Sequence, residues 1–311
     1  MFHLVEKRKW YFLLSAIIII PGLLAMIYST ATTGLPFKLA IDFTGGSIWE
    51  LSFPQPVQPA DLRQVLTDAG SGADTAVTTL GGENTLQVRL KPLDETEKLR
   101  LTDVIKAKYG AEVVERQFTS VGPAIGREVT QAAVLAVIAA SLAIMGFLIV
   151  AFRKVPHPFR YGASAVIAMI HDILVTAGIF SILSLILGWQ ADALFLTAVL
   201  TVIGFSVQDT IVVFDRIREN TPKYRGESFT QIADRSLTET LHRSLATQLC
   251  ALFIITALLI FGGATTKQFV AVMFIGLISG TYSSIFNAVP ILAGWEDRDL
   301  LGLKVAKTQT A

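Results

Sequence analysis

The sequence predicts a polytopic α-helical membrane protein: six transmembrane helices, with an extracytoplasmic α+β domain of ferredoxin-like order after the first. Three observations predict it. Of 311 residues, 52% are apolar and 16% are charged, against about 25% charged in soluble chains. The apolar residues gather into six runs almost free of charge, each long enough at about 1.5 Å per residue to cross a hydrocarbon core of about 30 Å. Between the first two runs lies a polar stretch of domain size with its own strand and helix periodicity. The net charge of +1 offers no bulk attraction to nucleic acid, and there is no glycine-lysine phosphate loop. The single cysteine, Cys250, sits in an apolar run, which excludes an internal disulfide or a Cys-rich zinc cluster.

The first run, Trp10–Tyr28, follows Lys7, Arg8 and Lys9. A basic flank before an apolar stretch also describes a signal peptide, but this run exceeds a signal core of about 7–15 residues. A retained helix is expected, so residues 1–28 form the N-terminus and first span. Residues 129–295 hold the other five. Val129–Phe152 has no charge, Tyr161–Leu187 carries only His171 and Asp172, and Ala193–Phe214 carries Asp209. Ser244–Thr266 and Gln268–Trp295 carry none. Lysine and arginine concentrate before the first run, between the second and third (Arg153, Lys154, Arg160) and between the fourth and fifth (Arg216, Arg218, Lys223, Arg225, Arg235). The opposite loops carry none at Gly188–Asp192 and only Lys267 in the other. Basic loops stay on the cytoplasmic side, so both termini and the tail of residues 296–311 are expected there. Residues 29–128 are then extracytoplasmic.

Within residues 29–128, Ser47–Phe53 reads as a strand and Pro59–Ala69 as a helix with Leu62, Val65 and Leu66 on one face. Asp74–Leu80 and Asn84–Leu90 read as strands joined by the hairpin loop Gly81-Gly82-Glu83. Asp94–Tyr109 is helical and ends at Gly110, and Glu112–Phe118 alternates again. The order β-α-β-β-α-β is the split βαβ arrangement. This segment has no histidine or cysteine, and its scattered charges fit a solvated surface. No nucleophile–base pair or metal-ligand cluster stands out anywhere, so neither an enzyme nor a cofactor is expected.

Four features break the apolar rule. A charge inside hydrocarbon costs about 2.5–3.5 kcal/mol on insertion scales, so it needs a partner or a function. Asp209 lies seven residues before Arg216, about 10 Å deeper along a helix axis. Thr201, Ser206 and Gln208 are polar companions in its span. Arg243 stands where the fifth span begins, with Thr247 and Cys250 at helical spacing. Because the fourth span runs one way and the fifth the other, Asp209 and Arg243 fall in the same half of the membrane and are expected to be able to meet. Against this, Asp209 reads as a helix-end carboxylate and Arg243 as a snorkelling side chain. His171-Asp172, near the middle of the third span, is either a candidate proton relay or a hydrogen-bonded pair that fixes helix packing. Gly276 and Gly280 form a GxxxG pattern that mostly signals close packing.

Several strings then converge. Asp42-Phe43-Thr44-Gly45-Gly46 follows the first run. Gly204-Phe205-Ser206-Val207-Gln208-Asp209-Thr210 leads into Val212-Val213-Phe214-Asp215-Arg216-Ile217-Arg218-Glu219-Asn220. Thr240-Leu241-His242-Arg243-Ser244 and Gly280-Thr281-Tyr282-Ser283-Ser284-Ile285-Phe286 follow. Together they resemble the SecF side of the SecD/SecF family, membrane subunits of bacterial protein export within the superfamily of RND-type, proton-driven exporters. The match spans nearly the whole chain, and the aspartate-to-glutamate string is long, unusual and highly specific. The chain departs from the family pattern at Phe205 and Gln208, where Tyr and Asn are usual, and at Gln248, where Ser or Gly is common.

The resemblance implies one helix, an exterior ferredoxin-like domain and five further helices in the bacterial cytoplasmic membrane. It implies a SecD partner and the SecYEG channel, and use of the proton gradient to draw unfolded polypeptide outward. It maps the family's intramembrane aspartate onto Asp209 and its functional arginine onto Arg243. Asp42, Gly45, Gly46, Asp215 and Arg216 belong to its motifs. Gln208 keeps an amide next to Asp209, displaced by one methylene, and joins His171 and Asp172 as a candidate relay. An RND-type exporter of lipid or small molecules is the alternative and predicts a hydrophobic cleft in the exterior domain. A scaffold of the export channel is the other, and it has no need of an intramembrane aspartate.

Overall fold

The computed structural model describes residues 3–72, 75–80, 84–263 and 266–299. The chain divides into two compact units, Met1–Lys38 with Ala136–Ala311, and Leu39–Leu135. The helix α5 (Pro123–Ala151) belongs partly to each.

Among the described residues six helices are long and apolar enough to cross a membrane, as the six runs predict. They are α1 (Arg8–Thr33, after a 3₁₀ turn at Val5–Lys7), α5, α6 (Pro158–Leu187), α7 (Ala193–Asn220), α8 (Phe229–Phe261), and α9 (Lys267–Ser283) continued into α10 (Val289–Glu296). Local chemistry sets their ends. Asp192 caps α7 by accepting from the Phe195 N–H at 2.8 Å. Ser228 and Gln231 form a reciprocal capping box that starts α8. That box explains why α8 begins well before the uncharged run at Ser244: the helix continues through a charged turn that lipid length alone does not reveal. Gly188, with φ 72°, closes α6. In the sixth span a π turn at Ser284–Ala288 separates α9 from α10. It precedes Pro290, which has no N–H to close the ladder onto Phe286.

Glycines set the helix spacing. A Cβ on Gly22 of α1 would lie 2.6 Å from the Gly178 Cα of α6, and one on Gly276 would lie 2.1 Å from the Val202 Cγ2 of α7. One on Gly280 would meet the Ser206 Cα at 3.3 Å. Gly276 and Gly280 therefore serve packing of α9 on α7 within the chain, the close approach that small residues permit in membranes. Gly22→Ala is expected to destabilise the bundle by about 1–3 kcal/mol through overpacking. Gly146→Ala, where an added Cβ meets nothing within 4 Å, is expected to be neutral or stabilising because alanine is the better helix former. Melting of the detergent-purified variants reads both, and equal midpoints would refute the close-packing account.

The second unit holds α2 (Ile41–Thr44), β1 (Gly46–Ser52), α3 (Pro59–Asp68), β2 (Ala76–Thr79), β3 (Thr85–Leu90), α4 (Glu95–Tyr109) and β4 (Val114–Val121). The strands form one antiparallel sheet in the order β2-β3-β1-β4, the ferredoxin-like arrangement that the element order predicts. Trp49 and Leu51 of β1, with Phe53 just after it, pack into a core completed by Leu62 and Leu66 of α3 and Leu101 and Ile105 of α4. Trp49 keeps its polar end satisfied by donating Nε1–H to Glu115 at 2.9 Å. Gly45 and Gly46 have φ of 73° and 135°, a region that side chains with a Cβ rarely enter. A Cβ on Gly45 would also sit 2.9 Å from the Pro123 Cα. The motif Asp42–Gly46 is thus one helical turn and a tight exit into β1, with Asp42 in the first turn of α2. Gly81-Gly82-Glu83 lies outside the described residues.

Candidate ion-coupling site in the helical bundle

The buried face of α7 carries Ser206 and Asp209 one turn apart. Asp209 is 4% exposed, and its Oδ2 accepts a hydrogen bond from the Gln248 Nε2 of α8 at 2.6 Å. Thr240, Ser244 and Gln248, spaced by four, form the buried face of α8, whereas Arg243, Thr247 and Cys250 are exposed. The expected meeting of Asp209 and Arg243 is therefore not what this structure shows. Five residues at about 100° each put Arg243 and Gln248 roughly 140° apart around the helix, so only one of them can face α7. Gln208 is likewise exposed: adjacent residues point about 100° apart on a helix, and it does not join Asp209.

The motif residues that follow Asp209 clasp α7 to α8. Arg216 donates through Nε to Glu239 at 2.5 Å and through Nη1 to Glu219 at 2.7 Å. Asn220 Nδ2 donates to Glu239 at 2.9 Å and to Ser236 at 3.0 Å, and Asp215 pairs with Arg218 at 2.6 Å. With its donors engaged in this way, Arg216 is not available to Asp209. Glu239 and Ser236 were not anticipated from the sequence, because nothing in a single strand of text marks the two ends of an interhelical contact.

A second buried carboxyl, Asp172 of α6, is 1% exposed and joins three helices. Its Oδ2 accepts from Ser206 of α7 and Ser283 of α9, both at 2.6 Å, and its Oδ1 from Ser279 of α9 at 2.6 Å. His171 Nδ1 lies 3.0 Å from Oδ1. His171 Nε2 reaches Ser15 of α1 at 3.0 Å, and Ser15 in turn bonds Asn287 of the π turn at 3.1 Å. The Tyr282 ring stacks on the imidazole, with centroids 6.0 Å apart. Every acceptor position used here is filled by a hydroxyl or ring nitrogen, as a buried carboxyl requires. Ser206, which donates to Asp172, lies one helical turn before Asp209 on α7. Among the described residues no group of three or more His, Cys, Asp or Glu is arranged to hold a metal ion.

Residues 101–298, which contain both carboxyls, match the family described as "Protein export membrane protein SecD/SecF, C-terminal". The chain belongs to the SecD/SecF family. Among its SecD/SecF relatives, the protein translocase subunit SecF of Thermobaculum terrenum is 47% identical, over 97% of this chain and 96% of that one. The SecF of Vibrio alginolyticus is 37% identical over 91% of this chain and 88% of its own. A crystal structure of SecDF from Thermus thermophilus, described as a translocon-associated membrane protein, superposes with a TM-score of 0.77 at 32% identity and covers 96% of this chain. This chain spans only 39% of the length of that SecDF chain. SecD/SecF membership makes the protein a multi-pass membrane protein with a part in protein export.

Proposed function

We propose that this chain is the SecF-type half of a proton-driven export machine, working with a SecD-type half beside a SecYEG channel in the bacterial cytoplasmic membrane, both termini cytoplasmic. The observation that carries the reading is Asp209: a buried carboxyl in an apolar span, held among the described residues by a neutral amide and not by a cation. A cation locked against it would favour only the charged form; an amide leaves both protonation states accessible. A proton arriving from outside neutralises Asp209, the contacts of α7 with α8 change, and the proton leaves inward. Each proton crossing about 100 mV releases about 2.3 kcal/mol from the electrical component. Arg243 acts from the exposed face of α8, where an intramembrane cation needs a partner; the SecD-type half is the proposed one.

The client is unfolded polypeptide. Strand addition needs an open sheet edge, and β1 and β3 are each paired on both sides. The exposed edges are β2 and β4, and these are the strands proposed to receive peptide. A groove between α3 and β2 has a mixed lining, with Arg63, Gln64 and Thr67 beside the apolar Pro59, Ala76 and Val77, and it runs along the open β2 edge.

The test is reconstitution of this chain with its SecD-type partner and channel in proteoliposomes, measuring completion of polypeptide export with and without a proton gradient. Gradient-stimulated export is expected. Export indifferent to the gradient would overturn the proposal. Arg243→Ala is expected to leave complex yield intact and to lose stimulation; loss of yield as well would make Arg243 an assembly contact.

A further inference from the structure

The amide that holds Asp209 has one end in use and one idle. Gln248 is 6% exposed, its Nε2 donates to Asp209 at 2.6 Å, and its Oε1 is buried without a hydrogen-bond partner. Native structures seldom leave a buried acceptor unpaired, and such an atom calls for an explanation. We propose that Gln248 is a positioning residue that follows the protonation state of Asp209: it donates N–H to the ionised carboxylate and, after a half-turn about its last side-chain bond, accepts through Oε1 from the protonated carboxylic acid. The proposal rests on the reading of Asp209 as the ion carrier and says how that carrier is kept paired in both states.

The chemistry suits the task. A glutamine amide presents donors on one arm and an acceptor on the other, and its terminal torsion is broad and roughly two-fold. The idle Oε1 is then the arm held ready for the protonated state. Space for the turn exists, because Gln248 lines an apolar groove of about 530 Å³ with Leu245, Leu252, Leu277, Ile285 and Tyr282. The titratable groups around it are otherwise engaged or turned away. On α6, the Asp172 oxygens are held by three serines and His171. On α9, the Tyr282 hydroxyl donates to the Tyr11 carbonyl of α1 at 2.7 Å. On α7, Arg216 is held by Glu219 and Glu239, and on α8, His242, Arg243 and Cys250 are exposed. The amide of Gln248 is the side-chain partner that the carboxyl of Asp209 has among the described residues.

Gln248→Met keeps the length and removes both arms. In the reconstituted complex, the pH profile of gradient-driven export is expected to move toward alkaline pH by about one unit, a tenfold change in proton affinity, because the charge-assisted bond lost by the ionised form is roughly twice as strong as the neutral one lost by the acid. In the purified complex, the infrared C=O band of protonated Asp209, assigned by its loss in Asp209→Asn, is expected at higher wavenumber in Gln248→Met than in the parent, since the acid has lost its acceptor. An unmoved pH profile overturns the donor half of the proposal, and an unmoved band overturns the turning amide. If Gln248→Met does not accumulate, Gln248→Ala carries the same two expectations. The band follows protonation of Asp209 without any transport. Failure of the carrier reading, seen as undiminished gradient-driven export in Asp209→Asn, is thus distinguishable from failure of the role given to Gln248.

Discussion

Asp209→Asn is expected to abolish the gradient-dependent part of export while leaving the complex assembled. Asparagine has nearly the shape of aspartate and still pairs with the Gln248 amide, so the α7–α8 contact at 2.6 Å has a replacement and the packing around it persists. It cannot take up or release a proton. Export should therefore fall to the level seen without a gradient and stay there at every imposed gradient. The measurement is export into proteoliposomes across a range of imposed gradients, with complex yield determined on the same preparations. Stimulation equal to that of the parent would refute the carrier role and leave the fold and family assignment untouched. A collapse in yield would instead make the Gln248 contact structural.

The second large effect is expected at Asp172. Asp172→Ala strips the acceptor from Ser206, Ser279, Ser283 and His171 together, leaving buried hydroxyls unpaired at the place where α6, α7 and α9 meet. Removing one member of a buried charged network costs about 3–5 kcal/mol, a large share of a typical domain's 5–15 kcal/mol. Loss of folded protein, or a melting point lowered well beyond that of Gly22→Ala, is the expected result in detergent. Melting at the parental temperature would refute the packing role. Asp172→Asn separates the two readings of the dyad. It preserves shape and one acceptor, so normal yield with lost transport would make His171 and Asp172 a relay, whereas normal yield with normal transport leaves them as structure.

Gln248 and Arg243 show why the site was only half legible. Both stand at the start of the fifth uncharged run, five residues apart, and the charged one drew attention because charge in a span is rare. Which of them faces α7 depends on rotation of α8 about its own axis. In water, amphipathicity would report that rotation, because the outward face is polar. In a bilayer the outward face is as apolar as the inward one, so α8 shows Leu249, Phe253 and Ile254 exposed and hydrophobicity carries no directional signal. The same degeneracy hid Ser15, Ser206 and Ser279 as partners of the His171–Asp172 pair. Serine is common in membrane helices, and nothing in the text indicates that α7 and α9 aim theirs at the Asp172 carboxyl while α1 aims one at the His171 ring.

The α+β unit behaves differently because one side of its sheet meets water. Burial alternates along β1 and β3, with Trp49, Leu51, Leu86 and Val88 inward, and the order of strands and helices was legible in the sequence. Strand order within the sheet was not: β1 is third, between β3 and β4, so the open edges are β2 and β4. Composition and spacing alone were enough for the six spans, the α+β insertion and the rarity of Asp209, because backbone hydrogen bonding and hydrocarbon thickness allow few other arrangements of such runs. The partner of each polar side chain waited for the folded chain. Interhelical contacts are set by helix rotation and by glycine-to-backbone approach, which join residues up to hundreds of positions apart and leave no periodic trace in either helix.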